Sequence, residues 1–87
     1  MTGTQILVRY WGGIAAKLSR NSETFRFPSP PEVQALVDRI IEEAGPAGRE
    51  ALRQPGVVLS ANGRAVGPGH LLADGDAVDI LPAVAGG

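Results

Sequence analysis

The sequence predicts an α+β domain in which one main amphipathic helix packs across a mixed sheet of four to five strands. Two observations support this fold class: β-rich runs stand near both ends of the chain, and one stretch between them shows the apolar period of a helix. The 87 residues suffice for one small domain. Hydrophobic residues are 44% and charged residues 20% of the chain, which favours folding over disorder.

The first two strands are predicted at residues 5–11 and 22–27. The run QILVRYW is rich in β-branched and aromatic residues, and SETFRF alternates so that its two phenylalanines share one face. We interpret the intervening GGIAAKLSRN as a connection, with a hairpin as the simplest topology. Of the adjacent aromatic residues Tyr10 and Trp11, at least one is expected to fill the core.

The main helix is predicted to begin within the sequence SPPE. Ser29 can serve as N-cap, Pro30 occupies the first helical position and Glu32 the third, which matches a capping box. Apolar residues then recur at the spacing of one helix face: Val33, Leu36, Val37, Ile40, Ile41 and Ala44. Gly45 and Pro46 are predicted to end this helix.

Two further elements are predicted between the helix and the last strand. AGREALRQPG is interpreted as a short second helix or a turn that ends at Pro55 and Gly56. The stretch VVLSANGRAV at 57–66 predicts a β-hairpin, because Asn62 and Gly63 form the pair favoured in a type I′ turn.

The last strand is predicted over residues 77–81, after a turn at Asp74 and Gly75. Its apolar face carries Val78 and Ile80. We expect this strand to lie in the sheet centre beside the first strand, because the helix needs one continuous sheet face to cover it. The order β-β-α-β-β-β with this pairing is a β-grasp.

Composition excludes several classes of function. The chain has no cysteine, which excludes disulfides, thiolate metal sites and a cysteine nucleophile. The formal net charge of -1 provides no basic field for nucleic acid. No apolar run approaches the roughly 20 residues that span a bilayer. Neither nucleic acid nor a membrane is therefore an expected partner, and the expected location is the cytoplasm.

The side chains offer no complete catalytic or metal site. His70 is the one histidine and is interpreted as a solvent-facing loop residue. Asp74, Asp76 and Asp79 lack the further ligands of a calcium loop, and the sequence ADGD favours a turn. The glycine-rich stretches GGIAAKL and GRAVGPG match neither phosphate-loop nor dinucleotide-binding spacing. The interior of the domain is therefore interpreted as a scaffold.

The ending PAVAGG is the remaining candidate site. We predict a domain over residues 1–82, where Pro82 helps to end the strand, and a flexible tail over residues 83–87. The tail residues are small and reach roughly 17 Å when extended: Ala83, Val84, Ala85, Gly86 and Gly87. Because glycine has no Cβ, the last two peptide units can enter a channel too narrow for other residues. A tail without chemistry is the alternative.

The segment LLADGDAVDILPAVAGG resembles the C-terminal segment of the ubiquitin-like sulfur carriers of the MoaD and ThiS type. Both have a hydrophobic-Asp-Gly-Asp turn, a strand that ends in hydrophobic-Pro, a short tail and Gly-Gly. Upstream, VVLSANGRAVG is similar to their V-N-G hairpin and ILVRYWGGIAAKL to their first strand. The resemblance covers essentially the whole chain and is greatest to the branch of the small subunit of molybdopterin synthase.

The resemblance implies that the terminus, Gly86 and Gly87, carries the chemistry. An E1-like activating enzyme of the MoeB/ThiF type would adenylate the Gly87 carboxylate with ATP and magnesium, and a persulfide donor would convert it to a thiocarboxylate. The tail would then insert into a large molybdopterin synthase subunit of the MoaE type and deliver sulfur to a pterin precursor. The residues that would position the tail are Pro82, Ala83, Val84 and Ala85.

The resemblance also implies that the chain is a carrier subunit, not an enzyme on its own, and binds no cofactor stably. Docking would use a hydrophobic patch on the sheet face away from the helix. Three alternatives stay open. The carrier could serve thiamine thiazole, cysteine or another thiolated product; Gly87 could be joined to lysines, as in a ubiquitin-like modifier; or the domain could be a β-grasp interaction module.

Overall fold

The computed structural model describes residues 3–82 of the chain, which form a five-stranded mixed sheet and three helices. The strands are β1 (Thr4–Tyr10), β2 (Ser22–Phe27), β3 (Val58–Ala61), β4 (Arg64–Ala65) and β5 (Ala77–Leu81). The helices are α1 (Gly12–Leu18), α2 (Val33–Ala44) and α3 (Pro46–Leu52).

The strand order is β2-β1-β5-β3-β4. Strand β1 pairs antiparallel with β2 and parallel with β5, and β3 pairs antiparallel with both β4 and β5. The last strand therefore lies in the sheet centre beside the first. The predicted α+β class and β-grasp arrangement are confirmed.

The core lies between one face of the sheet and the helices. Its largest fully buried side chains come from both layers and from the loop before β5: Ile6, Val8, Leu36, Ile40, Leu72, Val78 and Ile80. Val78 and Ile80 form the buried face of β5, as predicted. Of the two adjacent aromatic residues, Tyr10 enters the core with 3% of its surface exposed, whereas Trp11 is 48% exposed.

The stretch that connects β1 and β2 contains a helix, which the sequence pattern did not predict. Ile14 and Leu18 stand four residues apart in α1 and are both buried. Packing of this single stripe stabilises a helix that is too short to form alone in water. Strands β1 and β2 are antiparallel neighbours as expected, but the connection between them contains a short helix instead of a tight turn.

The start of α2 also differs from the prediction. The helix begins at Val33 with Glu32 as N-cap, and no side chain caps it, so the capping box from Ser29 and Pro30 is wrong. The N–H groups of the first two helical residues donate instead to backbone carbonyl oxygens of the segment 68–70, both at 2.9 Å. Backbone carbonyls of a distant loop thus satisfy donors that a local cap usually satisfies.

The predicted bounds of β2 and β5, the end of α2 and the hairpin turn are confirmed, whereas the first strand is Thr4–Tyr10 instead of residues 5–11. Gly45 is the C-cap of α2, and Pro46 begins the short helix α3. Asn62 and Gly63 both have positive φ, 51° and 88°, as a type I′ turn between β3 and β4 requires. The Asn62 side chain donates to Asp76 Oδ1 at 2.9 Å, which connects this turn to the start of β5.

Candidate functional site

The structure describes the chain as far as Pro82, which directly follows β5 and is the last residue before the predicted tail. The other predicted site residues lie outside the described residues, so their roles stay predictions: Ala83, Val84, Ala85, Gly86 and Gly87. The start of α1 fixes the end of β5. The Trp11 N–H donates to the Ile80 carbonyl at 3.2 Å, and a Cβ on Gly12 would lie only 3.0 Å from Pro82 Cγ.

An apolar groove of about 560 Å³ lies on one side of Pro82. Its walls come from α1, α3 and the loop before β3, and they include Ile14, Ala51 and Val57. Beside it, Lys17 of α1 and Glu50 of α3 form an ion pair with an N–O distance of 3.2 Å. Pro82, the last residue before the predicted tail, therefore lines an apolar groove on the helix side of the sheet.

The face of the sheet away from the helices, here the open face, carries exposed apolar side chains. Leu7 is 38% and Val58 44% exposed, and Val58 pairs with the partly buried Leu81 across β3 and β5. Ala77 pairs with Leu7 across β1 and β5. These four residues, Leu7, Val58, Ala77 and Leu81, form the apolar patch. Val58 and Leu81 lie at the end of β5 that precedes Pro82, whereas Leu7 and Ala77 lie at the opposite end of β5.

A charged trio of Arg9, Trp11 and Asp79 lies within the open face. Parallel pairing of β1 and β5 places Arg9 beside Asp79. Arg9 Nε donates to Asp79 Oδ1 at 2.7 Å and Nη2 donates to Oδ2 at 3.0 Å, which is a bidentate ion pair. Trp11 Nε1 also donates to Asp79 Oδ1, at 2.9 Å. The Arg9 side chain is 45% exposed, and that of Asp79 only 15%.

The hydrogen bonds from Arg9 and Trp11 favour the ionised form of Asp79. The hydrogen bond from Arg9 lowers the pKa of Asp79 below its ordinary value, and the bond from Trp11 adds to this effect against the cost of burial. The same pair raises the pKa of Arg9. Arg9 is not among the site residues predicted from the sequence. The alternation in QILVRYW, which puts Leu7, Arg9 and Trp11 on one face, was the signal available.

Of the remaining polar candidates, Asp74 and Asp76 have structural roles. His70 is exposed, and Asp74 Oδ1 accepts from the Gln5 N–H at 2.8 Å. Asp76 Oδ2 accepts from the Ala73 N–H at 2.8 Å, and this bond lowers the pKa of Asp76. Residues 3–82 contain no group of three or more side chains that could hold a metal ion. Within the same range, no helix has both the length and the apolar character needed to cross a bilayer.

A mixed sheet with its last strand beside its first, covered by a helix on one face, defines a ubiquitin-like β-grasp protein. The ThiS family model matches residues 8–87, and the chain belongs to this family of ubiquitin-like sulfur carriers and modifiers. No curated protein matches the sequence.

Solved structures share this fold. Small archaeal modifier protein 1 of Haloferax volcanii superposes with a TM-score of 0.84 at 18% identity, covering 94% of this chain and 100% of that one. A putative molybdopterin converting factor subunit 1 from Pyrococcus furiosus gives 0.79 at 24% identity, covering 93% and 99%. A complex of subunits 1 and 2 of the molybdopterin-converting factor from Helicobacter pylori gives 0.69 at 20% identity, covering 97% and 100%.

Proposed function

We propose that this chain is a sulfur carrier whose Gly87 becomes a thiocarboxylate and delivers sulfur to the pterin precursor in molybdopterin biosynthesis. The observation that carries the proposal is the ThiS family match, because it extends over residues 8–87 and so includes the Gly-Gly sequence. The absence of cysteine agrees with a scheme in which sulfur is held on a carbonyl carbon.

The first step is activation of the Gly87 carboxylate. One carboxylate oxygen attacks the α-phosphate of ATP in the E1-like activating enzyme of the MoeB/ThiF type, so that pyrophosphate leaves and an acyl-adenylate forms. Magnesium held with the ATP neutralises phosphate charge during this step. The product is a mixed anhydride whose carbonyl carbon is open to a sulfur nucleophile.

The second step installs sulfur. A persulfide attacks the acyl carbon and displaces AMP, which gives an acyl disulfide. A thiol then attacks the outer sulfur, so that Gly87 keeps the inner sulfur as a thiocarboxylate and the two other sulfurs form a disulfide. The thiol is the reductant, and one oxygen of Gly87 has left with AMP.

The folded domain presents the tail to its partners. Pro82 and the tail residues Ala83, Val84 and Ala85 would position Gly86 and Gly87 within a partner, while the open face docks against that partner. The larger partner proposed for sulfur transfer is a MoaE-type subunit. A two-subunit molybdopterin-converting complex among the fold neighbours supports this partner. In this scheme the chain acts as a carrier subunit, with no stably bound cofactor, in the cytoplasm.

The test of the carrier function is intact-mass measurement after incubation with ATP, magnesium, the activating enzyme and a persulfide donor. We expect a gain equal to the replacement of one oxygen by one sulfur. Deletion of Gly87 should abolish the gain while circular dichroism shows an unchanged fold. No gain, with a known carrier active in the same reaction, contradicts the proposal. Conjugates of higher mass in lysate would indicate a protein modifier instead.

The acceptor is tested in a second reaction. The thiocarboxylated protein is mixed with the MoaE-type subunit and the cyclic pterin precursor, and pterin products are separated by chromatography. We expect sulfur to move to the pterin and Gly87 to return to a carboxylate. Transfer to a thiazole or cysteine precursor, but not to the pterin, would assign the carrier to a different pathway.

A further inference from the structure

The charged trio has hydrogen-bonding capacity that the described residues do not use. A guanidinium has five N–H donors in a planar arrangement. Arg9 uses Nε and Nη2 toward Asp79, and the edge formed by Nη1 and the second Nη2 proton has no acceptor among residues 3–82. Because nearly half of the side chain is exposed, this outer edge is accessible to a partner.

The trio presents donors to its surroundings, not acceptors. Asp79 Oδ1 already accepts from Arg9 and Trp11, and Oδ2 accepts from Arg9. Arg26 lies on the same face, since it pairs with Gln5 across β1 and β2, and it adds a second positive charge. The unused donors of Arg9 therefore complement an acceptor, such as a carboxylate, on a partner surface.

A partner that covers the apolar patch also covers Arg9. Leu7 precedes Arg9 by two residues on the same face of β1, and Leu81 follows Asp79 by two residues on β5, so apolar side chains flank the trio on both sides. Burying charged N–H groups without an acceptor is costly, whereas a carboxylate forms strong, paired hydrogen bonds with them. A wholly apolar partner surface is thus disfavoured.

We propose that the outer edge of Arg9 binds a carboxylate on the docking surface of the E1-like activating enzyme, with Asp79 and Trp11 as positioning residues. The inference rests on the proposed function, in which that enzyme is the partner that activates Gly87. The two oxygens of an aspartate or glutamate side chain match the Nη1 and Nη2 donors. Apolar groups beside that carboxylate pack against Leu7 and Leu81.

The test measures the dissociation constant between this protein and the E1-like activating enzyme of the same organism by titration calorimetry without ATP. Arg9→Gln is expected to weaken binding about tenfold and to reduce its dependence on salt, because a charged contact is lost. Arg26→Gln is the matched control, since it removes the same charge from the same face. Its effect is expected to stay below about twofold.

Asp79→Asn separates a direct contact from a merely structural role. It breaks the same pair as Arg9→Gln but keeps the Arg9 charge, so binding should weaken only about threefold and keep the salt dependence of the wild type. Equal losses for Arg9→Gln and Asp79→Asn overturn the proposal. The proposal is also overturned if Arg9→Gln and Arg26→Gln weaken binding equally, or if the wild-type protein does not bind the activating enzyme. Melting curves verify that each variant folds.

Failure of this inference is distinguishable from failure of the proposed function. If the wild type gains sulfur and Arg9→Gln binds like the wild type, only the role of Arg9 is wrong. If the wild type binds through Arg9 but gains no sulfur with ATP and a persulfide donor, the docking contact stands and the carrier function fails.

Discussion

The two faces of the sheet are built from alternate residues of the same strands, and β1 shows how far they differ. Ile6 and Val8 are completely buried beneath the helices, whereas Leu7 and Arg9 between and beside them are exposed on the open face. Neighbouring residues thus have separate roles. We attribute the stability of the domain to the covered face and recognition to the open face.

The largest expected effect comes from the covered face. Leu36 is fully buried in α2, so Leu36→Ala removes apolar contacts and leaves a cavity. We expect a loss of about 2–5 kcal/mol in the free energy of unfolding, measured by urea denaturation. Leu7→Ala, on the open face, is the control and should cost less than about 1 kcal/mol.

This pair of variants directly tests the division between the faces. A cost for Leu7→Ala equal to that of Leu36→Ala would show that the open face also stabilises the isolated domain. If Leu36→Ala leaves too little folded protein to measure, Ile40→Val removes a single methyl group from the same core. That variant should cost about 0.5–1.5 kcal/mol.

The next effect concerns the junction between α1 and the base of the tail. Gly12 has a φ of 54°, and a Cβ there would lie 3.0 Å from Pro82 Cγ. Gly12→Ala should therefore destabilise the domain by about 1–2 kcal/mol. Gly13→Ala is the matched control, because no atom lies within 4 Å of its Cβ position, and it should stabilise α1 by about 0.5 kcal/mol. Equal effects at both positions would contradict the contact with Pro82.

The ion pair of the open face should contribute less, and its contribution should depend on pH. The pKa of Asp79 is lowered on folding, so the unfolded chain binds more protons near the ordinary aspartate value. The stabilisation is therefore present above about pH 4 and is lost as the pH falls through the lowered pKa. We expect Asp79→Asn to cost about 1 kcal/mol at neutral pH and progressively less in acid.

Denaturation across pH measures this difference, and a double-variant cycle identifies its source. If Arg9 supplies the stabilisation, Arg9→Gln combined with Asp79→Asn should cost little more than Asp79→Asn alone. Additive losses, or a wild-type advantage that grows as the pH falls, would contradict the assignment.

Local patterns predicted most of the fold because most of its elements agree with their own sequence signals. The alternation in β2 and β5, the apolar stripe of α2 and the Asn62-Gly63 turn each specify their structure within a few residues. The start of α2 did not follow its local signal. Donors expected to meet Ser29 meet carbonyls of the segment 68–70, a contact between parts of the chain far apart in sequence.

The candidate site was predictable only in part for the same reason. Pro82 follows directly from the end of the last strand, and alternation in β1 places Arg9 and Trp11 on one face. That they meet Asp79 depends on the parallel register of β1 with β5, in which the paired residues lie 70 positions apart. Local periodicity carries no information about that register.

The smallest expected effect on stability comes from Trp11, and it makes this residue a probe of the open face. The indole is half exposed, and Asp79 keeps both bonds to Arg9 when the indole N–H is removed. Trp11→Phe should therefore change the free energy of unfolding by less than about 0.5 kcal/mol.

Because Trp11 is the one tryptophan in the chain, fluorotryptophan labelling gives a single fluorine signal from the open face. Addition of the unlabelled activating enzyme should shift that signal, since docking over the apolar patch covers the neighbouring ring. Arg9→Gln should require a higher enzyme concentration for the same shift. If the fluorine signal stays unchanged at an enzyme concentration that saturates binding in calorimetry, the enzyme binds another surface. Recognition would then not be a function of the open face.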